Sequence, residues 1–387
     1  MNEVAKGPLR FTGIETANWR NFGQATVRLQ NRVFLVGPDA SGKSNFLDMF
    51  RFLREIASVG GGFQAAVQNR GGVSSLRSLS ARRYPDISLV ATIGTGTGPD
   101  SWEYGLSFTQ DSRRRPFIQH EHVARGGEEL WSRPSEEDLR DRERLTQTYI
   151  EQVSLNREFR ELVEFLASVR YLHLVPQLVR DPDRSAGRKG DPYGGDFLEQ
   201  LARTQERIRI ARLRRIREAL RVAVPQLSEL DLFRDERGIP HLRGKYLNWR
   251  REGAWQTEER FSDGTLRLLG LLWSIQDGNG PLLLEEPELS LHPEIVRHIP
   301  LLFAQVQKSL GRQIIVSTHS PELLMDEGIG LDEVLLLVPE REGTSVSTAK
   351  EIDQVDELLA GGLSLADVVI PNTRPKNAAQ LSLLDFG

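Results

Sequence analysis

Cysteine is absent from the 387-residue sequence, which removes disulfides, zinc–thiolate centres and thiol nucleophiles from consideration. Long apolar runs are missing as well. No stretch approaches the roughly 18 uninterrupted apolar residues of a membrane span, and Met1-Asn2-Glu3-Val4-Ala5-Lys6 has no signal-peptide core, so a soluble, cytoplasmic protein is expected. Neither sign of charge dominates: 50 Lys and Arg stand against 54 Asp and Glu, a formal net charge of −4. A uniformly basic nucleic-acid binder is thereby disfavoured, while a local basic patch stays open. There is no internal repeat and no sustained heptad register, so long coiled-coil arms are not expected.

What is present begins with an apolar strand, Val33-Phe34-Leu35-Val36, that runs into Gly37-Pro38-Asp39-Ala40-Ser41-Gly42-Lys43-Ser44-Asn45 and then into an amphipathic helix bearing Leu47, Phe50 and Leu53. Gly37 to Ser44 fits G-x-x-x-x-G-K-[ST], in which the glycines let backbone N–H groups turn around polyphosphate oxygens. Lys43 would reach the β- and γ-phosphates, Ser44 would hold Mg²⁺, and the helix start would face the anion. Two short strands are expected before this cradle. Ile87–Ile93, Trp102–Phe108 and Phe117–Val123 read as an antiparallel meander after it.

Helical spacing is expected over Ser135–Val169, a strand over Arg170–Pro176, a loop over Arg180–Asp196, and one helix over Phe197–Val224. That last helix carries Arg203, Arg207, Arg214 and Arg221 on one face, either as a solvated surface or as a contact for phosphate backbones. Phe261-Ser262-Asp263-Gly264-Thr265 then precedes an apolar helix, where Ser262 or Asp263 would serve as an ordinary cap. Leu282-Leu283-Leu284 ends in Glu285 and Glu286. Paired carboxylates at a strand end suit a nucleotide hydrolase, one near Mg²⁺ and one orienting the attacking water. A further buried strand ends in Ser317-Thr318-His319 and should lie beside the carboxylate strand.

Taken together, Asn18-Trp19-Arg20-Asn21, Gly37 to Asn45, Phe261 to Thr265, Leu282 to Pro293 and Ser317 to Pro321 resemble the ABC-type ATPases of the RecF, SMC and OLD group, in the order that group shows. The closest resemblance is to its short members without a nuclease domain or long coiled coil. It implies an α/β fold: a P-loop NTPase of ABC-ATPase head type, with a mixed core sheet, an antiparallel β-subdomain and a helical signature subdomain. Residues 1–350 would form the head, with the helical subdomain and insertions at about 125–260, and residues 351–387 a C-terminal helix and flexible tail.

The resemblance further implies ATP and Mg²⁺ as cofactors, Lys43 and Ser44 as the Walker A residues, and Ser262, Asp263 and Gly264 as the signature. Glu286 becomes the general base, His319 the switch histidine, and Arg20 a residue that approaches the nucleotide. Glu285 stands where the group often has Asp, so it would bind Mg²⁺ or its water from slightly farther back. The metal-sensing glutamine is Gln177, with Gln68 as the alternative.

A homodimer sharing its ATP sites is implied, acting in DNA maintenance, repair or anti-phage defence, with DNA and a separate effector as partners. A non-hydrolysing, ATP-gated scaffold that sequesters an effector is the alternative. Fewer than seventy residues follow His319, too few for the nuclease domain of the OLD group. At the end of the chain, Gln380-Leu381-Ser382-Leu383-Leu384 resembles the peptide by which bacterial repair and replication proteins dock on the sliding clamp. Leu384 departs from the usual Phe, with Phe386 two residues later. A tail folded onto the protein's own surface and a different effector are the other readings.

Overall fold

A computed structural model describes residues 7–81, 86–95, 101–185, 191, 193–247 and 253–374. The sliding-clamp-like segment at 380–384 lies outside the described residues. In chain order the strands are β1 (Arg10–Trp19), β2 (Phe22–Arg28), β3 (Arg32–Val36), β4 (Ile87–Gly94), β5 (Trp102–Gln110), β6 (Pro116–Arg125), β7 (Glu128–Arg133) and β8 (Arg170–Leu172). They continue as β9 (Leu227–Arg234), β10 (Pro240–Tyr246), β11 (Ala254–Thr257), β12 (Leu282–Glu285), β13 (Ile314–Thr318), β14 (Val334–Glu340) and β15 (Gly343–Thr348). The chain forms two compact units. One comprises Met1–Arg170, Asn279–Leu283 and Phe303–Gly387, the other Tyr171–Gly278 and Leu284–Leu302.

In the first unit, six antiparallel strands run in the order β2-β1-β4-β5-β6-β7. The expected meander is β4 to β6, and β4 shows why it was legible: Ile87, Leu89, Ala91 and Ile93 alternate inward along one face. The second sheet has the order β15-β14-β3-β13-β12-β8. Its central strand β3 is buried along its whole length and pairs in parallel with β13 and with β14. Continuous apolar sequence rather than alternation is what burial on both faces demands.

After β3 comes the helix α1 (Lys43–Ala57), which buries Phe46, Leu47, Phe50 and Leu53. Phe50 meets Phe11 of β1 edge to face, with ring centroids 4.7 Å apart. Gln313, just before β13, ties β1 to the core: its side chain accepts from Phe11 N at 2.9 Å and donates to Phe11 O at 2.8 Å. These contacts join the strand ends that carry the motifs to one apolar core.

In the second unit, β11-β10-β9 form a three-stranded antiparallel sheet. The long helix expected over Phe197–Val224 is two helices, Phe197–Arg203 and Glu206–Ala223, broken where Thr204 turns extended. Leu213, Ile216 and Leu220 form the buried stripe of the second helix. The break also divides the arginine face, since Arg203 lies on the first helix beside Glu199. The strand expected over Arg170–Pro176 stops at Leu172, and Pro176 instead opens the helix Pro176–Val179, where its missing N–H costs nothing. Over Ser135–Val169 the expected helical run reduces to short pieces and the helix Arg160–Ser168. Residues 125–170 of the stretch expected as a helical subdomain belong to the first unit, and the helix Leu365–Thr373 lies in the C-terminal part of that unit.

Candidate nucleotide site

The loop between β3 and α1 is built for close backbone approach. A Cβ on Gly37 would come within 2.5 Å of Leu337 O and Ser41 Oγ, and Gly42, at φ +98°, would drive one to 2.0 Å from Asn21 Nδ2. Only glycine fits either position. Lys43 is nearly buried and folds across the loop, donating to Gly37 O at 2.8 Å and Pro38 O at 3.1 Å. Ser41 Oγ is buried without a hydrogen-bond partner. Such an orphan is costly unless a ligand oxygen meets it. Ser44 stands exposed in the first turn of α1, where its hydroxyl suits a hard cation. A narrow glycine loop, an ammonium and a helix N-terminus fit a polyphosphate carrying Mg²⁺.

The loop is held from behind. Asn21, in the β1–β2 turn, donates from Nδ2 to Ser41 O at 3.0 Å and to Thr344 Oγ1 at 2.7 Å, while its Oδ1 accepts from Asn45 at 2.7 Å. Thr344, in β15, donates its hydroxyl to the same Ser41 carbonyl at 2.9 Å. Thr344 was not found from sequence, because no local pattern links it to a loop 303 residues away.

Arg20 sits in this turn at φ +50°, an unfavourable backbone region for a non-glycine residue. Its guanidinium pairs with Asp48 of α1 at 3.0 Å. Burial opposes the charge on Asp48, yet Arg70, Arg51 and Arg20 outweigh it and hold the carboxyl below its ordinary range. Arg20 thus stands anchored, and it lines an open cleft of about 620 Å³ with Asn45, Ser78, Arg77 and Arg341. His319 follows β13, whose register sets Thr318 against Val36, so the histidine emerges beside Gly37. Its Nδ1 lies 3.8 Å from Asp39 Oδ1. As expected, β13 neighbours the carboxylate strand β12.

The second unit carries the remaining candidates. Glu285 ends β12 and accepts the Tyr171 hydroxyl. Glu286 and Ser290 take φ of +45° and +62°, so the carboxylate turn is held in a sparsely populated conformation at both ends. Ser262 caps the helix Asp263–Ser274 by accepting from Thr265 N at 3.2 Å, the ordinary capping role. Asp263 pairs with Arg180 at 2.5 Å. Gly264 packs so tightly that a Cβ would lie 2.5 Å from Ser290 O, which puts the signature turn against the carboxylate turn. On the same helix, burial pushes the Arg267 guanidinium down, against the pull of Asp263, Glu286 and Glu288. Gln177 is exposed in the first turn of a helix rather than at a strand end, and Gln68 is exposed at the last residue of the helix Phe63–Gln68.

The family described as "AAA domain, putative AbiEii toxin, Type IV TA system" matches residues 32–326, which span the cradle, the signature turn, the carboxylates and His319. The chain belongs to this family. Among solved structures, this AAA-family chain is similar to the Smc head bound to the C-winged helix domain of ScpA, at 13% identity and a TM-score of 0.54, over 87% of this chain and 97% of that one. It is similar also to an Smc head with an extended coiled coil bound to the C-terminal domain of ScpA, derived from Pyrococcus furiosus, at 12% identity, TM-score 0.52, 91% and 100% coverage. An Smc head with coiled coil and joint from Pyrococcus yayanosii matches at 11% identity, TM-score 0.52, 91% and 100% coverage. No curated protein matches the chain. The fold is that of a P-loop ATPase head of the SMC type, as the motifs implied.

Proposed function

We propose that this AAA-family head binds and hydrolyses ATP with Mg²⁺, and that two copies associate on ATP to complete each other's sites. The observation that carries the reading is the cradle: Lys43 folded over a loop in which only glycine fits, with Ser41 Oγ buried and unpartnered beside it. Lys43 and the loop N–H groups take the phosphates. Ser44 and Glu285 would be the oxygen ligands for Mg²⁺, and the chemistry the ion would supply there is neutralisation of phosphate charge. Glu286 orients the attacking water, His319 faces the γ-phosphate, and Ser262 and Gly264 serve the site of the second copy. Gln177 becomes a metal sensor only if its short helix rearranges.

The role fits DNA maintenance or anti-phage defence through a separate effector. The family description names a toxin of a type IV toxin–antitoxin system, and two of the similar Smc heads were solved with a domain of ScpA. Steady-state release of phosphate from ATP tests the reading, with Lys43→Ala as the control that loses nucleotide binding. Tight ATP binding without turnover would instead identify a scaffold, and absence of ATP binding would end both readings.

A further inference from the structure

The hydrogen bonds behind the loop close into a complete account of one peptide group. Ser41 O has two lone pairs, and both are taken: one by Asn21 Nδ2 at 3.0 Å and one by the Thr344 hydroxyl at 2.9 Å. The second hydrogen of Asn21 Nδ2 goes to Thr344 Oγ1 at 2.7 Å, and Asn21 Oδ1 is fixed by Asn45 at 2.7 Å. The backbones join as well, since Thr344 N donates to Asn21 O at 2.8 Å. A Cβ on Gly343 would lie 2.7 Å from that same carbonyl, so the approach of β15 to the turn depends on glycine.

A trans peptide aims its C=O and its N–H in opposite directions. Pinning the Ser41 carbonyl toward Asn21 and Thr344 therefore fixes the Gly42 N–H on the other side, toward the cradle. We propose that Thr344 is a positioning residue for the nucleotide site: with Asn21 it sets the Ser41–Gly42 peptide so that the Gly42 N–H is aimed at phosphate before the nucleotide arrives. Thr344 touches no nucleotide. It acts through one carbonyl, and its effect falls on the polyphosphate of the ligand, because that is what a loop N–H meets. The inference rests on the ATP reading only for the identity of the ligand.

The experiment compares Thr344→Val, which keeps the shape and loses the hydroxyl, with Thr344→Ser, which keeps the hydroxyl. Binding of ATP and ADP is measured at equilibrium, and amide exchange at Gly42 is measured without nucleotide. Thr344→Val should weaken both nucleotides about tenfold and speed exchange at Gly42 in a protein that still unfolds cooperatively, with a lowered midpoint because the buried Asn21 Nδ2 and Ser41 O each lose a partner. Thr344→Ser should restore both readouts to within about threefold. Should Thr344→Val fail to fold, Asn45→Ala, which frees the Asn21 side chain while leaving Thr344 in place, carries the same exchange test. Unchanged exchange at Gly42, or ATP binding by a folded Thr344→Val within about twofold of the parent while Lys43→Ala has lost it, overturns the proposal. Absence of ATP binding by the parent protein would overturn the ATP reading, and the exchange result would still decide the role of Thr344.

Discussion

Tyr171 donates its phenolic hydroxyl to Oε2 of Glu285, the carboxylate that ends β12. A glutamate carries one more methylene than the aspartate often found at this place, so its carboxylate needs something to limit its reach and rotation. Tyr171 does this at Oε2. Tyr171→Phe should therefore raise the Mg²⁺ concentration for half-maximal ATPase several-fold and change the rate at saturating Mg²⁺ less. A magnesium titration of both proteins checks it, and identical curves would show that the tyrosine does not tune this carboxylate.

Glu121 of β6 is fully buried, accepting from Tyr104 Oη at 3.0 Å and from Tyr149 N at 3.1 Å, with Arg133 Nη1 at 3.6 Å. Burial pushes its carboxyl from 4.5 up to about 7, against the opposing pull of Tyr149 N–H and Arg133. Between these values the folded protein keeps a proton that the unfolded chain has released. Stability from this group is therefore greatest at acid pH, falls as pH rises from about 4.5 to about 7, and is flat above that. At about 1.4 kcal/mol per pH unit the decline amounts to a few kcal/mol. Glu121→Gln should remove that slope, so the difference in unfolding free energy between the two proteins should change with pH between 5 and 7 and stay constant from 7 to 9. Denaturant titrations across this range check it.

The motifs legible in the sequence are those whose signal is local. The Gly37–Ser44 spacing, the continuous apolar run of β3, the alternation in β4 and the carboxylates closing Leu282-Leu283-Leu284 each state their structure within a few residues. The rest depends on partners far along the chain. Thr344 belongs to the cradle only because β14 pairs with β3 and brings β15 after it. The placement of Gln177 depended on extending a strand to Pro176, whereas proline at a first helical position favours the helix that forms. Arg20 carries a motif role in sequence, yet what fixes it is Asp48, one helix turn beyond Ser44 on α1.

The helix Glu206–Ala223 exposes Arg207, Arg214 and Arg221, spaced by seven residues and so about two turns apart on one face. If two heads bring such faces together, weak and sequence-independent DNA binding should appear or tighten with ATP and weaken steeply with salt. Reversing Arg207 and Arg214 to Glu should reduce DNA affinity and flatten its salt dependence without altering the ATPase rate in the absence of DNA. Fluorescence anisotropy at several salt concentrations checks this, and an unchanged salt slope would identify the stripe as a solvated helix face.

Glu286 takes φ +45° in the turn after β12, and Gly264 of the signature turn packs against Ser290 at the other end of that turn. A positive φ at Glu286 itself, with a second at Ser290 closing the turn, suits a residue whose direction matters more than its packing. Glu286→Gln keeps the size and hydrogen-bonding reach of the side chain and removes its ability to accept a proton from water. ATP binding should survive, while hydrolysis should fall by a factor of about a hundred or more, the scale on which general bases contribute. With its ATP unspent, the variant should accumulate as a dimer in size-exclusion chromatography with ATP and Mg²⁺, and return to monomer with ADP. Lys43→Ala added to Glu286→Gln should abolish the dimer, because the nucleotide that joins the copies no longer binds. A Glu286→Gln protein that hydrolyses at the parent rate would move the base elsewhere, and one that is inactive but monomeric at saturating ATP would show that bound ATP does not join two copies.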